Sequence, residues 1–585
     1  MKELRHLNKY FFKYKYRLIA GLIITIFSKY LAVKVPQFIR QSLDSVDAYR
    51  NGTITDISQV KLDLWDNILW IVGLALASGG LTFLMRQTII VMSRLIEFDL
   101  KNEIYQQYQR LSLSFYKKNR IGDLMNRITE DVNKVRMYLG PAVMYSMNMV
   151  VLFSVTITKM FQTDKILMFY ALLPLPVLSV AIFVLSKIIN KRSKIVQENL
   201  SKLTAFTQEM FSGIGVLKAY ALERIIQDEF IQLAEGNKQK NINLYQTQAL
   251  FFPLMILLIG ISNILVIYIG GMRYINSEIT LGVIAEFILY INMLTWPVAV
   301  LGWVTAMIQQ AEASQKRINT FLKEKPEIIN YSDKHFPIEG AISFKEVTFT
   351  YEDTHIKALK GVTFAIAKHK SLAIVGRTGS GKSTIVSLLT RLYDITSGTI
   401  NLDDRDIKDY NLYDLRSQIG VVPQDAFLFS DTIANNLKIG NTFATDQEII
   451  EVCKKVAFHK TVKSFKDAYQ TVLGERGVTL SGGQKQRLAI ARALLKKPKI
   501  LILDDSLSAV DTETEAQILQ NLYKDTKEMT LIIISHRVST VQQADKIIVL
   551  ENGIIVSQGA HNELVNVDGY YKELYKRQLL KKENV

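Results

Sequence analysis

The sequence predicts a chain of two parts: an α-helical domain of six membrane spans, followed by an α/β domain built around a phosphate-binding loop. Three observations support this prediction. The first half contains six apolar stretches, each long enough to cross about 30 Å of hydrocarbon. The second half changes to short β-branched runs that alternate with helical stretches, which is typical of an α/β domain. Residues 376–383 read G-R-T-G-S-G-K-S, the pattern of a phosphate-binding loop.

The composition agrees with this division. Hydrophobic residues make up 49% of the 585 residues and charged residues 22%, which suits a chain that is apolar in one half and ordinary in the other. A chain of this length predicts two or three domains. We expect a membrane domain at 1–325, a linker at 326–340 and a second domain at 341–585. Cys453 is the only cysteine, so no intramolecular disulfide forms, and we expect it to be a buried small side chain.

The connections between the apolar stretches predict the topology. The stretches cover residues 17–35, 67–92, 138–161, 165–189, 250–275 and 282–308. Lys and Arg dominate residues 1–17 and the long connections after the second and fourth stretches, whereas the connection after the first holds five aspartates. Because basic residues stay on the cytoplasmic side, we expect a multi-pass protein of the cell membrane whose N-terminus and C-terminal half are cytoplasmic. This topology accounts for much of the net charge of +16 without nucleic acid as a partner.

The two long connections are predicted to be helical, so the spans continue as helices beyond the bilayer. In residues 95–111 apolar residues recur at spacings of three and four among charges. Each connection contains a short glycine-bearing break, at residues 115–123 and 211–215. A helical hairpin that ends in such a turn is suited to contact another domain.

The loop at 376–383 is predicted to hold a nucleotide. Its glycines allow backbone N–H groups to curl around a phosphate. Lys382 is expected to reach the β- and γ-phosphates of ATP, and the Ser383 hydroxyl to hold Mg²⁺. Tyr351 ends a predicted strand and is expected to stack on adenine, the alternative being an ordinary core or surface tyrosine. The predicted nucleotide-binding residues are Tyr351, Gly376, Thr378, Gly379, Ser380, Gly381, Lys382, Ser383, Thr384, Ser481, Gly482, Gly483 and Gln484.

Polar side chains at the ends of other predicted strands supply candidates for catalysis. Asp504 ends an apolar run and is expected to hold Mg²⁺, while Asp505 would orient or deprotonate the attacking water. His536 follows another apolar run and is expected to touch the γ-phosphate. Gln424 follows a third and is expected to sense Mg²⁺ and water. The predicted catalytic residues are therefore Asp505, His536 and Gln424, and the predicted metal site is Ser383, Gln424 and Asp504.

Residues 480–484 read L-S-G-G-Q and open a predicted helix that runs through residue 493. The N-terminus of a helix exposes N–H groups and a partial positive charge, and two glycines clear side chains from an approaching phosphate. Because the chain already has one phosphate cradle, a second one suggests an ATP held between two copies of the domain.

In the order and spacing of its motifs the second half resembles the ATP-binding cassette (ABC) transporter family. The matching motifs are Tyr351, residues 376–383, Gln424, residues 480–484, residues 500–505, residues 508–511 and His536. The first half is similar to the six-helix unit of bacterial multidrug and lipid half-transporters, the type IV ABC exporter fold. Residues 115–127 and 208–223 resemble the sequences that flank its coupling helices.

The resemblance implies a dimer with exchanged membrane helices, two composite ATP sites, and alternating access driven by closure on ATP. It also implies that Ser481 and Gly483 meet the γ-phosphate bound by the partner subunit, and that Asp511 crosses the interface. Residues 474–477 resemble a segment that communicates with the coupling helix of the partner.

One position departs from the family pattern. Where the family usually has a glutamate after the strand-end aspartate, this chain has Asp505. Its carboxylate is one methylene shorter, and a misplacement of about 1 Å can cost roughly a hundredfold in rate. Relatives with such a substitution often pair with a different subunit. We therefore expect impaired hydrolysis and favour a heterodimer over a homodimer.

The cargo is less constrained by the sequence. Lys34, Arg86, Arg273 and Glu286 lie near span ends and are expected to snorkel. The sixth span offers candidates for an adaptable apolar cavity, namely Tyr290, Met293, Trp296, Trp303 and Met307. We expect export of amphipathic compounds, either drugs or lipids. The alternative is an importer built on the same architecture, for example for metal chelates. A non-transporting ATPase does not account for six spans.

Overall fold

The computed structural model describes residues 2–474, 477, 479–525 and 528–583. Glu475 and Arg476, which belong to the segment expected to communicate with a partner, lie outside the described residues. The chain forms two compact units. The first consists of Met1–Gln109 and Gly122–Glu324, and the second of Arg110–Ile121 and Lys325–Val585.

In the part of the first unit that the structure describes, six long helices each have an apolar window long enough to cross a membrane. They are α1 Lys15–Arg50, α2 Ile57–Arg110, α3 Ile121–Thr163, α4 Lys165–Ser212, α5 Glu223–Ile275 and α6 Leu281–Leu322. Every apolar stretch predicted from the sequence lies inside one of these helices, which confirms the six spans. The helices also continue well beyond the stretches, as the charged but periodic connections predict.

Small residues allow the helices of the first unit to approach closely. A Cβ atom on Gly21 of α1 would lie 2.7 Å from Cγ1 of Ile89 on α2, so a larger residue would require the Ile89 side chain to shift. Ser28 of α1 bonds to the hydroxyl of Thr82 on α2 at 2.9 Å. Close packing and hydrogen bonds between small polar residues stabilise helix pairs in a medium as apolar as the side chains themselves.

Several charged side chains of the first unit are paired in its interior. Glu286 of α6 is fully buried. Its carboxylate accepts hydrogen bonds from Arg40 at 3.2 Å and from the Tyr290 hydroxyl at 2.8 Å. The expectation that Glu286 snorkels is therefore wrong, because a buried carboxylate with two donors is satisfied where it lies. Tyr290 is also fully buried and is part of this packed core rather than of an open cavity. Arg273 donates to Asp164 at 2.6 Å.

The described residues of the second unit form two sheets. Its strands are β1 Ile342–Thr350, β2 Lys357–Ile366, β3 Ser371–Gly376, β4 Ser397–Leu402, β5 Arg405–Asp406, β6 Ile419–Val422, β7 Ile500–Asp504, β8 Thr530–Ile534, β9 Lys546–Glu551 and β10 Ile554–Gly559. The smaller, antiparallel sheet has the order β2-β1-β4-β5, and the larger has the order β10-β9-β3-β8-β7-β6.

The larger sheet brings the predicted site residues to one edge. Strands β3, β8, β7 and β6 are parallel neighbours, and every residue of β3, β7 and β8 is buried. Strands buried on both faces read as continuous apolar runs, which is why the sequence identified them. Since the carboxyl ends of parallel strands share one edge, the loops after these strands converge there.

Helices cover this sheet. The helix that follows the phosphate loop is α7 Lys382–Leu389, and the helix that follows the L-S-G-G-Q run is α8 Gly482–Leu495. The remaining helices of four residues or more in the described part of this unit are Leu113–Lys118, Leu412–Gln418, Ile433–Lys438, Asp446–Lys455, His459–Ser464, Thr512–Asp525, Val538–Val541, His561–Leu564 and Tyr570–Glu583. Cys453 is fully buried in the apolar core beneath the sheet, as expected.

The segment between α6 and β1 has no regular structure, yet hydrogen bonds connect it to the rest of the second unit. Asn330 accepts from the backbone N–H of Leu412 at 2.9 Å. Further along, Asp403 accepts from the N–H groups of Glu339 at 2.7 Å and Ala341 at 2.8 Å. The predicted linker is thus attached along its length to this unit.

Candidate functional site

The loop between β3 and α7 can be formed only with glycine at several positions. Gly379 and Gly381 have φ angles of 81° and 103°, which side chains disfavour. A Cβ atom on Gly376 would lie 2.1 Å from the carbonyl oxygen of Leu550, and one on Gly381 would lie 2.6 Å from that of Ala358. The glycines of the sequence motif therefore permit both the backbone turn and its close approach to neighbouring strands.

Lys382 closes this loop. Its ammonium donates to the carbonyl oxygens of Gly376 and Arg377, both at 2.8 Å. Burial lowers the pKa of Lys382, and the nearby carboxylates of Asp504 and Asp505 oppose that shift. The Ser380 hydroxyl is buried and has no hydrogen-bond partner among the described residues. A buried cation and an unpartnered hydroxyl beside glycine N–H groups match the requirements of a bound phosphate.

A cavity of about 550 Å³ opens at the carboxyl edge of the larger sheet. The predicted site residues that line it are Tyr351, Thr378, Gly379, Gly381, Lys382, Ser383, Thr384, Gln424, Asp504, Asp505 and His536. Lys357 and Asn552 also line it and were not predicted, because neither belongs to a recognisable motif. The structure therefore gathers residues that are nearly two hundred positions apart in the sequence into one concave site.

Asp504, the last residue of β7, and Asp505, which follows it, both line the cavity. Burial raises the pKa of Asp504, whereas a hydrogen bond from Ser383 opposes that rise. The carboxylate, the Ser383 hydroxyl and the Gln424 amide supply oxygen donors of the kind that Mg²⁺ prefers. Among the described residues no group of three or more His, Cys, Asp and Glu side chains could hold a metal. A site with one or two carboxylates fits Mg²⁺, which is usually completed by phosphates and water.

Asp505 adopts a backbone conformation that the sequence did not reveal. Its φ angle is 46°, in the left-handed region that Asp tolerates better than most residues. The backbone N–H of Asp505 donates to the carbonyl of Ile534 at 2.9 Å, and the Ser508 hydroxyl donates to the backbone carbonyl of Asp505 at 2.9 Å. These bonds fix the turn that presents its carboxylate to the cavity.

His536 lies opposite the acids, just after β8. Burial, and then the charge of Lys382, lower the pKa of its imidazole. The backbone carbonyl of His536 accepts a hydrogen bond from the Gln578 side chain at 2.9 Å. The Gln578 side chain also accepts from the backbone N–H of Val538 at 2.8 Å. Gln578 belongs to the C-terminal helix and positions the His536 segment. Sequence reasoning missed it, since no motif surrounds it.

Tyr351 directly follows β1, as predicted, and is held in an aromatic cluster. Its ring centroid lies 4.8 Å from that of Phe349 and 5.5 Å from that of Tyr393. Its hydroxyl contacts the hydroxyl of Thr384 at 3.1 Å. The ammonium of Lys117 lies 5.2 Å from the centroids of both Tyr351 and Tyr393. Lys117 comes from the short helix Leu113–Lys118 and was not predicted to lie near the site.

The start of α8 is built as a separate cap. Ser481 and Gln484 form a capping box, in which the Gln484 side chain accepts from the Ser481 N–H at 2.9 Å. A Cβ atom on Gly483 would lie 2.6 Å from the carbonyl oxygen of Ala509. Ser481, Gly482, Gly483 and Gln484 do not line the cavity around the phosphate loop of their own chain. Ser481 and Gly482 are exposed instead.

A six-helix unit able to cross a membrane, joined to an α/β unit with a phosphate-loop cavity, defines an ATP-driven membrane transporter. Two family models agree: "ABC transporter transmembrane region" matches residues 18–298, and "ABC transporter" matches residues 359–508. The chain belongs to the ABC transporter family. It is a multi-pass membrane protein with an ATP-binding domain, and ATP hydrolysis is coupled to transport. ABC exporters function as dimers, and this chain has the architecture of one half.

Individual proteins match along almost the whole chain. The multidrug resistance-like ATP-binding protein MdlA of Escherichia coli is 36% identical, covering 88% of each chain. A putative multidrug export ATP-binding/permease protein of Staphylococcus aureus is 33% identical, covering 97% of this chain and 98% of its own. The structure of a bacterial Atm1-family ABC exporter with ATP bound has a TM-score of 0.80 at 24% identity, covering 96% and 99%. The chain therefore has the exporter fold predicted from its sequence.

Proposed function

We propose that this chain is one half of a dimeric exporter in the cell membrane that moves amphipathic compounds, either drugs or lipids, at the expense of ATP. The proposal is supported by two features of the described residues: six helices are long and apolar enough to cross a membrane, and a concave cavity surrounds the phosphate loop of the same chain. The names of the relatives, which refer to multidrug resistance and multidrug export, support the direction and the class of cargo. The importer alternative has no comparable support.

The proposed division of labour follows the chain. Residues 1–325 form the membrane domain, residues 326–340 the linker and residues 341–585 the ATP-binding cassette. The cassette and the N-terminus face the cytoplasm, because basic residues dominate the connections on that side. Cytoplasmic ATP would then drive export from within the cell.

The site residues have distinct proposed roles. Tyr351 stacks on adenine. The phosphates are bound by Gly376, Thr378, Gly379, Ser380, Gly381, Lys382, Ser383 and Thr384. Ser383, Gln424 and Asp504 would hold Mg²⁺, which neutralises phosphate charge when bound. Asp505 positions the attacking water, and His536 donates to the γ-phosphate.

A complete site further requires the start of α8 from a second subunit. Ser481 and Gly483 are exposed or half-buried at a helix N-terminus, away from their own phosphate loop, and a helix N-terminus favours phosphate. ATP held between the two would bring the cassettes together. Because Asp505 replaces the usual glutamate, we favour a heterodimer in which the other composite site hydrolyses ATP faster.

Transport in sealed vesicles tests this function. The purified chain, alone and with a second half-transporter, is reconstituted into proteoliposomes together with a fluorescent amphipathic dye. Addition of ATP outside reaches only the transporters whose cassettes face outward, so export appears as dye accumulation inside. Lys382→Ala should abolish accumulation. Loss of preloaded dye on addition of ATP would instead indicate import, and equal dye movement by the variant would exclude ATP-driven transport.

A further inference from the structure

The first unit contains a cavity of about 430 Å³, a volume suited to a drug-sized ligand. It lies among α1, α2, α3 and α6, within the stretches predicted to cross the membrane. Its lining residues are Lys29, Thr82, Met85, Arg86, Met144, Tyr145, Ser146, Asn148, Met149, Leu152, Met293, Trp296, Pro297, Val300, Leu301, Val304, Thr305 and Ile308. Met293 and Trp296 were expected to line such a cavity, and both do.

The charge of this lining is one-sided. It contains two cations, Lys29 and Arg86, and no Asp or Glu. In the described part of the chain neither cation forms an ion pair. Other charged side chains of the same unit are paired: Arg40 contacts Glu286 at 3.2 Å, and Arg273 contacts Asp164 at 2.6 Å.

Unpaired charges within a membrane domain are costly and usually serve a function. Lys29 is partly buried, so water compensates its charge incompletely, whereas Arg86 is exposed. Asn148, from α3, adds a further unsatisfied group, because its buried Oδ1 atom has no hydrogen-bond partner among the described residues. The rest of the lining is rich in methionine, whose flexible thioethers adapt to varied apolar shapes, with Trp296 offering a broad apolar face.

From this juxtaposition we propose that the cavity binds amphipathic anions. Lys29 and Arg86 hold the anionic headgroup, and the apolar tail lies along Met144, Met149 and Trp296. The inference rests on the proposed export function and specifies its substrate class. A cationic amphiphile would place a third positive charge beside two unpaired ones and is excluded by repulsion.

Binding to the full chain in phosphatidylcholine nanodiscs without nucleotide tests the proposal. The probes are dansyl-aminoundecanoate and the matching dansyl-aminoundecyl trimethylammonium, which differ in headgroup charge. We expect the anion to bind at least about tenfold more tightly than the cation, which corresponds to about 1.4 kcal/mol. Lys29→Met and Arg86→Met should each weaken anion binding by about tenfold, whereas Lys29→Arg should retain it.

Lys34→Met is the matched control, since Lys34 lies on the same helix but outside the cavity, over the ring of Tyr30 at 4.9 Å. It should bind the anion like the wild type. Equal binding of both probes to the wild type would overturn the proposal, and that measurement needs no variant. An equal loss in Lys34→Met would also overturn it, because the preference would then reflect surface charge.

Two further measurements distinguish a lipid from a free anion as the ligand. The results also distinguish failure of the anion site from failure of the proposed export function. Displacement of the probe by phosphatidylglycerol in the nanodisc would assign the cavity to an anionic lipid. Displacement by dodecanoate alone would assign it to a free amphipathic anion. Because no ATP is present, headgroup selectivity without transport would contradict only the proposed export function. ATP-driven transport without headgroup selectivity would contradict only the anion site.

Discussion

At the residue scale, the turn after β7 carries the two acids that are proposed to act in ATP hydrolysis. Asp504 is buried at the end of the strand, while Asp505 turns into the left-handed region and presents a shorter carboxylate than glutamate would. The sequence identified the substitution. It could not reveal the left-handed backbone, because that conformation depends on the bond from the Asp505 N–H to Ile534 on the neighbouring strand.

Asp505→Glu should raise the rate of ATP hydrolysis, because the longer side chain brings the carboxylate closer to the attacking water. The expected gain is up to about a hundredfold for the purified homodimer in lipid, measured as steady-state phosphate release. Asp504→Glu is the matched control. It lengthens the adjacent acid, which is proposed to hold Mg²⁺, and should lower the rate. A fast wild-type homodimer that Asp505→Glu leaves unchanged would contradict the interpretation of Asp505 as impaired.

His536 should make the second unit sensitive to acid. Since burial lowers the pKa of its imidazole below the ordinary value of 6.5, the unfolded chain binds a proton more readily than the folded chain. The stabilising contribution is therefore present above pH 6.5 and is lost as the pH falls through the lowered pKa. We expect the thermal midpoint of the full chain to fall less in His536→Gln than in the wild type between about pH 7.5 and about pH 5.5. Identical shifts in the two proteins would contradict this assignment.

At the element scale, the short helix Leu113–Lys118 links the first-half sequence to Tyr351, which is proposed to stack on adenine. Ser114 donates to Glu327, and Lys118 lies 3.8 Å from the same carboxylate. Lys117 lies over the rings of Tyr351 and Tyr393. The break at residues 115–123 predicted a turn suited to contact another domain, but the identity of the contacted residues depends on the tertiary fold.

Lys117→Met should weaken ATP binding. The variant keeps an apolar stem but loses the cation–π contact with Tyr351. A cation–π contact at an exposed site contributes about 0.5–1 kcal/mol. We expect a rise of about twofold to fivefold in the Kd for ATP, measured by displacement of a fluorescent ATP analogue from the full chain. Lys118→Met, on the same helix but directed at Glu327, is the control and should bind ATP normally. Unchanged binding by Lys117→Met would contradict a contribution of Lys117 to ATP affinity, and tighter binding would mean that Lys117 competes with adenine for the ring.

Local signals predicted most elements. The six helices follow from apolar length, and β3, β7 and β8 follow from continuous β-branched runs, because burial on both faces leaves no polar alternation. Their order in the sheet did not follow, since β3 pairs with β8 and β9, which lie more than 150 residues later. The contribution of Gln578 could not be predicted either, because Gln578 reaches His536 only when the C-terminal helix packs against the rest of the unit.

At the scale of the whole molecule, the start of α8 does not line the cavity of its own phosphate loop. This arrangement predicts that α8 meets the phosphate loop of a second subunit. If ATP is held between two subunits, Thr479 of one chain approaches Arg377 of the other when nucleotide is bound. Both positions are exposed, and neither side chain is among the proposed binding residues, although Arg377 lies within the phosphate loop. The fully buried Cys453 leaves the wild type suitable as a background, because burial raises the pKa of its thiol to about 12 and keeps it unreactive.

A chain carrying Arg377→Cys and Thr479→Cys should form a cross-linked dimer with a short bis-maleimide when ATP and Mg²⁺ are present. The readout is a band of doubled mass after denaturing electrophoresis. Each single variant serves as a control and should yield no such band between these positions. Failure of the double variant to cross-link with nucleotide, in membranes where it hydrolyses ATP, would refute the composite site.

The assignment of Arg110–Ile121 to the second unit has a practical consequence for dissecting the protein. A fragment that starts at residue 325 would leave behind a piece of its own fold, together with the cation over Tyr351 and the donor to Glu327. The rings of Tyr351 and Tyr393 would then be exposed to solvent on the face that Lys117 covers in the intact chain. Nucleotide affinities measured on such a truncated cassette would describe a damaged adenine pocket, whereas grafting residues 110–121 back onto the fragment should restore it.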